Sequence, residues 1–427
     1  MKTAFAWYRG RSIGTKIFLG MAVGIVVGFW MGPSATLVKP LGDWFIDLLI
    51  MAAVPLLFLS LVSGLMNIQE ARTIPKTLGR LFVYYVFTSL CGLSLGLAVT
   101  HYLKPGVGFQ LVGNVTKEIG TVPSIADIIG KMIPKNIAAA FAQGEVTQIV
   151  VFGLFLGLCS LFIAEPYRTK VRVFFETGFA LFQRIVAVII ETAPIGLGAL
   201  TAVTVGQYGA KIAGPLARFL GSIYIAEFLM FLIMMLLLYL IGRVSPITFL
   251  KQTYPVYLTA AGTTSSLATL SHTLQVAEER LKLPRSIYGV TLPLGVQFAK
   301  DGTAVFLAAV LLFTAQAQGV DVSPGVAIAV VLTGLLLATG SGGIPGGGLV
   351  VALVFVKAFG LPVTITAIVG GIYHLIDITN ATLNVMNDLV GTVIVTRLSE
   401  KQVKIEKGAA VSPASRDPDR ISSQEAA

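Results

Sequence analysis

The chain has 427 residues, 55% of them hydrophobic and only 12% charged, with 31 basic and 21 acidic side chains and a net charge of +10. Soluble domains carry about 25% charged residues, so this chain has roughly half the charge that a water-facing surface needs. That excludes an ordinary cytosolic enzyme, a disordered chain and a secreted disulfide scaffold, and leaves a multi-span membrane protein. The polar tail from Glu400 balances Lys401, Lys404, Lys407, Arg416 and Arg420 against Glu400, Glu406, Asp417, Asp419 and Glu425, so the positive excess lies in the membrane-embedded part. Its basic residues are dispersed among short loops, with no run that points to nucleic acid. Cys91 and Cys159 both sit in apolar runs and read as packing residues.

A crossing needs about 20 mostly apolar residues. Runs that qualify begin near Ile13, Asp43, Leu78, Gln148, Phe174 and Leu216, with interrupted ones near Ile287 and Val363. The first follows Lys2, Arg9, Arg11 and Lys16 as a signal peptide would, but it is span-length and no small-residue cleavage site follows, so it reads as a retained span. The stretch 124–147 is broken by Pro134 and polar residues, which predicts an irregular start to the fourth span. Arg72, Lys76 and Arg80 fall between spans two and three; Arg168, Lys170 and Arg172 fall between four and five. Arg243, Lys251, Arg280, Lys282 and Arg285 follow span six, and Arg397 begins the tail. The alternate loops hold fewer, among them Lys39, then Lys104 and Lys117, then Lys211. The positive-inside rule predicts eight crossings of a plasma (bacterial-type inner) membrane with both termini in the cytoplasm.

Two apolar segments are interrupted at their centres. The first, 246–280, breaks at Thr263-Thr264-Ser265-Ser266; the second, 325–360, breaks between Gly340 and Gly348, with Ser341 and Pro345 inside the glycine run. Each arm is too short to cross a core of about 30 Å at about 1.5 Å per residue. Irregular backbone at membrane depth survives only inside protein or beside a watery cavity. Two re-entrant helical hairpins satisfy that condition; a kink or a helix-packing motif is the plainer alternative, which Pro345 among so many glycines disfavours. Each hairpin precedes a polar span. Lys300 and Asp301 interrupt the seventh, while Asp377, Asn380, Asn384 and Asp388 fall at i, i+3, i+7 and i+11 of the eighth, on one helix face. Hairpin plus polar span, occurring twice, is the pattern of a transporter built from inverted repeats with discontinuous helices at its binding site. Buried ionisable residues cost at least about 2.5 kcal/mol each, so they mark a pathway more often than a packing device.

In order, Tyr84-Tyr85-Val86-Phe87-Thr88-Ser89, Thr264-Ser265-Ser266, Asp301-Gly302-Thr303, the glycine-rich stretch Gly343 to Gly348 and the Asp-x6-Asn-x3-Asp of span eight resemble the glutamate transporter-type, dicarboxylate/amino acid:cation symporter family. The resemblance covers the chain from span one to Arg397. It implies an all-α elevator transporter and a homotrimer in membrane lipid. Scaffold spans would lie in 1–77 and 124–210, with span three in 78–123. The rest of the transport domain would occupy 211–399, before a disordered cytoplasmic tail, 400–427. It further implies a substrate site of Thr264, Ser265, Ser266, Thr303, Gly343, Ile344, Pro345, Gly346, Asp377, Asn380, Ala381 and Asn384. There Asp377 would hold an α-ammonium and Asn384 an α-carboxylate. Ion coupling, by sodium or protons, would fall on Tyr85, Thr88, Ser89, Gly295, Ala299, Lys300, Asp301, Ser341, Asn384 and Asp388, with sodium at Asp301 and Asp388. No other cofactor and no enzymatic activity are implied.

Three departures qualify that expectation. Asn380 stands where acidic-substrate members carry Arg, with Ala381 beside it in place of Thr; Ala299-Lys300 replaces Asn-Met; and Tyr373 replaces a frequent Asp. Loss of the bidentate Arg fork argues for a neutral or polar amino acid as substrate. Lys300 can replace a bound sodium beside Asp301, which is the favoured expectation, or carry a proton. It can also anchor an anion, restoring an acidic amino acid or C4-dicarboxylate, or snorkel away from the site. Glu191 and Glu227 read as structural or interfacial. His101, His272 and His374 lack metal-ligand spacing, and His374 is a candidate proton participant. Among rival classes, a channel would not need the Asp and amide pair, and an intramembrane protease would need a base beside Ser265 or Ser341.

Overall fold

Helix is the only regular structure among the described residues of the computed structural model, which covers residue 11 and residues 13–66, 75–109, 133–343 and 346–411. An apolar solvent imposes this, because a helix satisfies its own backbone. Helix α1 (Ile13–Met31) passes through a 3-10 segment (Gly32–Val38) into α2 (Lys39–Met66), and α3 follows (Pro75–Leu103). Asn136 caps α4 (Ile137–Gln143) by accepting the Ala138 and Ala139 amides, and Gly144, at φ +68°, ends it. Next come α5 (Val146–Ser160), α6 (Tyr167–Glu191), α7 (Ala193–Tyr208) and α8 (Ala213–Leu237).

The two interrupted segments form helix pairs. The first is α9 (Pro246–Thr263) with α10 (Ser266–Glu279), and the second is α13 (Pro324–Ala338) with α14 (Gly347–Ala358). Between them α11 (Arg285–Phe298) and α12 (Asp301–Ala317) are separated by a non-helical break at Ala299, which is extended, and Lys300. The chain ends with α15 (Val363–Gly370) and α16 (Tyr373–Val411), bent by 82° at their junction.

Two packing groups emerge. Helix α2 is lined by α5, α6 and α7, with α1 along α7; α3 packs on α8 and α12, and α16 on α9, α11 and α12. The α1–α7 seam is made by glycine at every fourth position. Side chains on Gly20 and Gly24 would collide with the carbonyls of Pro194 and Gly198, and a Cβ on Gly28 would stand 2.6 Å from that of Ala202. Small residues let two backbones close up where lipid supplies no hydrophobic drive. Helix α12 is buried continuously from Asp301 to Ala315, so its lack of a polar stripe reflects apolar neighbours on every side. Large apolar side chains such as Trp30, Phe155, Phe162 and Leu258 are exposed, as a lipid-facing surface requires.

Several expectations need correction. Among the described residues five helical runs, or six with the bent pair, are long and apolar enough to cross a membrane, and the first of them, Ile13–Met66, holds two of the expected spans. The expected fourth crossing is a helix of 15 residues, about 22 Å long, because Gly144 and the 161–166 turn bound it. The fifth begins at Tyr167 rather than near Phe174, and α7 continues it beyond a break at Thr192, where Pro194 sits in the first turn. The last helix runs on to Val411, past the start of the expected tail. Cys159 is exposed on α5 rather than packed.

Gly24→Val should overpack the α1–α7 seam at a cost of about 1–3 kcal/mol, lowering the unfolding temperature in detergent. Gly221→Ala, on α8 with open space where its Cβ would go, should leave that temperature unchanged or raise it slightly, since Ala outranks Gly in a helix by about 1 kcal/mol.

Candidate functional site

The tips of the two helix pairs meet. Thr264 ends α9 in the left-handed region at φ +48°, and Ser265 then caps α10 by accepting the Ala268 amide. In the second tip Gly342, Gly343 and Gly346 all have φ near +70°, a conformation open to glycine and costly for other residues. The Ser265 hydroxyl donates to the Gly343 carbonyl at 2.8 Å, and the Leu267 amide donates to the same oxygen at 3.1 Å. Ile344 and Pro345 lie outside the described residues. Thr264, Ser265, Ser266, Ser341 and Gly343 are buried.

At the break between α11 and α12, adjacent side chains part. Asp301 turns to α3, where its Oδ1 accepts from the Ser89 hydroxyl at 3.0 Å. Lys300, 1% exposed, turns toward the second tip: a Cβ on Gly343 would lie 3.3 Å from its Nζ. Asp388 and Asp377 lie near enough to act on it electrostatically. Among the described residues no hydrogen-bond acceptor and no carboxylate within 4.0 Å pairs with its ammonium. The expected fixed cation beside Asp301 is therefore corrected: the non-helical break at Ala299 and Lys300 sends it to the other side. Ala299 is buried and offers no side-chain oxygen.

Helix α16 delivers its stripe into the same junction. Both oxygens of Asp377 are engaged, Oδ1 by the Tyr373 hydroxyl and Oδ2 by the Gly346 amide, each at 2.9 Å. Asn384 accepts from the Gly302 amide at 2.9 Å and donates to the Thr303 hydroxyl at 3.2 Å. Asp388 accepts from the Tyr85 hydroxyl at 2.8 Å, and its carboxylate fills the space a side chain on Gly295 would need. The Asn380 amide nitrogen, oriented by its neighbours, donates to the Gly302 carbonyl at 2.9 Å and to Glu227 Oε1. Both of its hydrogens are thus spent inside the protein, and only its carbonyl oxygen is left to meet a ligand. Ala381 is buried beside it.

Sequence reading missed two participants. Glu227 is a buried partner of Asn380 rather than a general structural residue, and 153 positions separate them; Glu191 is exposed at the end of α6. Asn387 is fully buried and donates to the Thr88 hydroxyl at 3.3 Å; it lies three residues beyond Asn384 and so continues the i+3/i+4 pattern of that face, which was its available signal. His374 is half-buried with its ring edge against Phe18, His272 bonds Thr259, and His101 is exposed.

Two cavities flank the tips. A small one of about 40 Å³ adjoins Thr264, Gly346 and Asp377 and is walled by Phe45, Ile190 and Leu197. A larger one of about 430 Å³ lies between Gly64, Glu176 and Phe179 on one side and Leu267, Pro293 and Gln297 on the other, reaching Gly342. The N-termini of α10, α12 and α14 converge between the cavities, and exposed helix-start amides favour anions.

The model of the sodium:dicarboxylate symporter family matches residues 13–398. Among curated proteins, the chain is 30% identical to C4-dicarboxylate transport protein 2 of Bradyrhizobium diazoefficiens over 80% of this chain and 78% of the relative. It is 28% identical to the C4-dicarboxylate transport protein of Cupriavidus necator, over 89% and 90% of the two chains. A Burkholderia pseudomallei protein of that description is also 28% identical, over 93% and 94%.

Removing the Ser265 hydroxyl should loosen the junction of the tips. Ser265→Ala is expected to speed amide hydrogen exchange in peptides spanning 264–270 by about tenfold, the value of a hydrogen bond of about 1–1.5 kcal/mol. Unchanged exchange would mean the latch contributes nothing.

Proposed function

The chain belongs to the sodium:dicarboxylate symporter family, and from that premise we propose that it carries a small C4-dicarboxylate across a bacterial plasma membrane, coupled to sodium. Membership makes it a multi-pass transport protein. The observation that carries the choice of substrate is the state of two buried charges. Asp377, on which an amino acid's ammonium would depend, already has a donor on each oxygen, whereas the Lys300 ammonium has no anionic partner within 4.0 Å among the described residues. A buried ammonium needs a counter-charge, and a substrate carboxylate supplies one. The neutral amino acid expected from the loss of Arg at Asn380 is thereby corrected: the cation that an acidic substrate needs comes from α11–α12 rather than from α16. The similar curated proteins, described as C4-dicarboxylate transport proteins, support the same choice.

The residues divide the work. Lys300 meets one carboxylate, and the convergent starts of α10, α12 and α14 receive the other. Asp377 holds Gly346 and with it the second tip, so its role is to position the gate rather than to touch an ammonium. Sodium, as co-substrate, lies at Asp301 with Thr88 and Ser89 and at Asp388 with Tyr85, where hard oxygens face one another. With the basic loops inside, the cavity of about 430 Å³ opens toward the cytoplasm, and the first helix pair is its gate. The helices packed on α12 and α16 move as one body past those around α2.

The test is exchange in liposomes, which also separates a carrier from a channel. The parent should exchange labelled succinate in sodium buffer and leave alanine and serine untouched. Lys300→Met should weaken succinate binding tenfold to a hundredfold, as expected for losing a charged hydrogen bond of about 1.5–3 kcal/mol. Exchange of a neutral amino acid without succinate would overturn the proposal.

A further inference from the structure

We propose that the side-chain amide oxygen of Asn387 is a cation ligand, completing with Asp301, Thr88 and Ser89 a sodium site that joins α3, α12 and α16. Two buried oxygens carry this. Asp301 and Asn387 are both fully buried, and Asp301 Oδ2 and Asn387 Oδ1 each lack a hydrogen-bond donor. They belong to one cluster. The Asn387 nitrogen donates to the Thr88 hydroxyl at 3.3 Å, the Thr88 hydroxyl donates to the Tyr85 carbonyl at 3.3 Å, and the neighbouring Ser89 hydroxyl donates to Asp301 Oδ1 at 3.0 Å.

A native interior rarely leaves one buried acceptor bare, and two in one cluster call for a shared partner. Both of these atoms can only accept, and the Tyr84 hydroxyl, an unpartnered donor near Asp301, bonds to neither, so the partner is a donor from outside the chain or a cation, and one carboxylate charge balances one monovalent ion. Oxygen donors of this kind select hard cations. Asp301 has no cationic side chain within 4.0 Å among the described residues, because Lys300 faces the second tip. Ala299 supplies no side-chain oxygen, and Asn387 brings one from α16 instead. The amide's own nitrogen is anchored on Thr88, so its oxygen is held in place before the ion arrives. The ion then links three helices, two of which also line the substrate junction.

This inference rests on the sodium coupling proposed above but not on the choice of substrate. The experiment is therefore sodium titration of the purified full chain without any substrate, reading the unfolding temperature in sodium chloride against choline chloride at constant ionic strength. The parent should be stabilised saturably by sodium. Asn387→Leu should raise the half-saturating sodium concentration at least tenfold, and Asn387→Asp, which keeps an oxygen in place, should restore the response to within about threefold of the parent. If Asn387→Leu does not fold, Asn387→Ala carries the same comparison. A parent indifferent to sodium, or a Leu or Ala variant with a parent-like titration, overturns the proposal; the second result would mean that the two oxygens share only a buried water. Succinate exchange has no part in the readout, so failure of the dicarboxylate assignment leaves this titration intact.

Discussion

Peptide groups at a helix end have no partner within the helix, and inside an apolar protein water does not replace them. Three helix starts and the ends that precede them meet here at one junction, so the local structure has to satisfy them. Ser265 and Leu267 take the Gly343 carbonyl, Asp377 takes the Gly346 amide, and Asn384 takes the Gly302 amide. Side chains of α16 thus act first as caps for breaks in other helices. The glycines at φ near +70° in the second tip and the bare Gly295 against Asp388 are requirements of the same crowding.

From that satisfied backbone follows the distribution of charge. At the non-helical break before α12 the two side chains part, so Lys300 and Asp301 turn to different sides although they are bonded neighbours. One side of the break has an ammonium seeking an anion, and the other has a carboxylate and an amide oxygen seeking a cation. A symporter needs both within reach of the same moving helices, so that binding of one ion reinforces the fold around the other. Glu227 has a related part: with the Gly302 carbonyl it draws the Asn380 amide hydrogens inward.

Much of the fold was legible. Both interrupted segments were marked by density of Gly, Ser and Pro in apolar surroundings, and their helices start within a residue of the expected positions, at Pro246 and Pro324. The stripe on α16 was legible because helical period 3.6 survives any tertiary context. The direction of Lys300 was not, since it depends on two backbone angles at a break, φ −130° and ψ +36°, that propensity does not set. The engagement of Asp377 was half visible, because Tyr373 lies one helical turn away, but its other donor, Gly346, comes from a separate tip. Pairings such as Glu227 with Asn380 leave no local trace, and so the substrate expectation drawn from Asn380 alone took no account of them.

The proposed contact between the Lys300 ammonium and a substrate carboxylate is open to direct measurement. A thermodynamic cycle tests it most directly: affinities of succinate and of its monoamide, succinamate, for the parent and for Lys300→Met, measured by calorimetry in sodium buffer. The parent should favour succinate over succinamate at least tenfold, and Lys300→Met should remove most of that preference, a coupling of at least about 1.4 kcal/mol between the ligand's charge and the lysine. Equal preference in both proteins would contradict it.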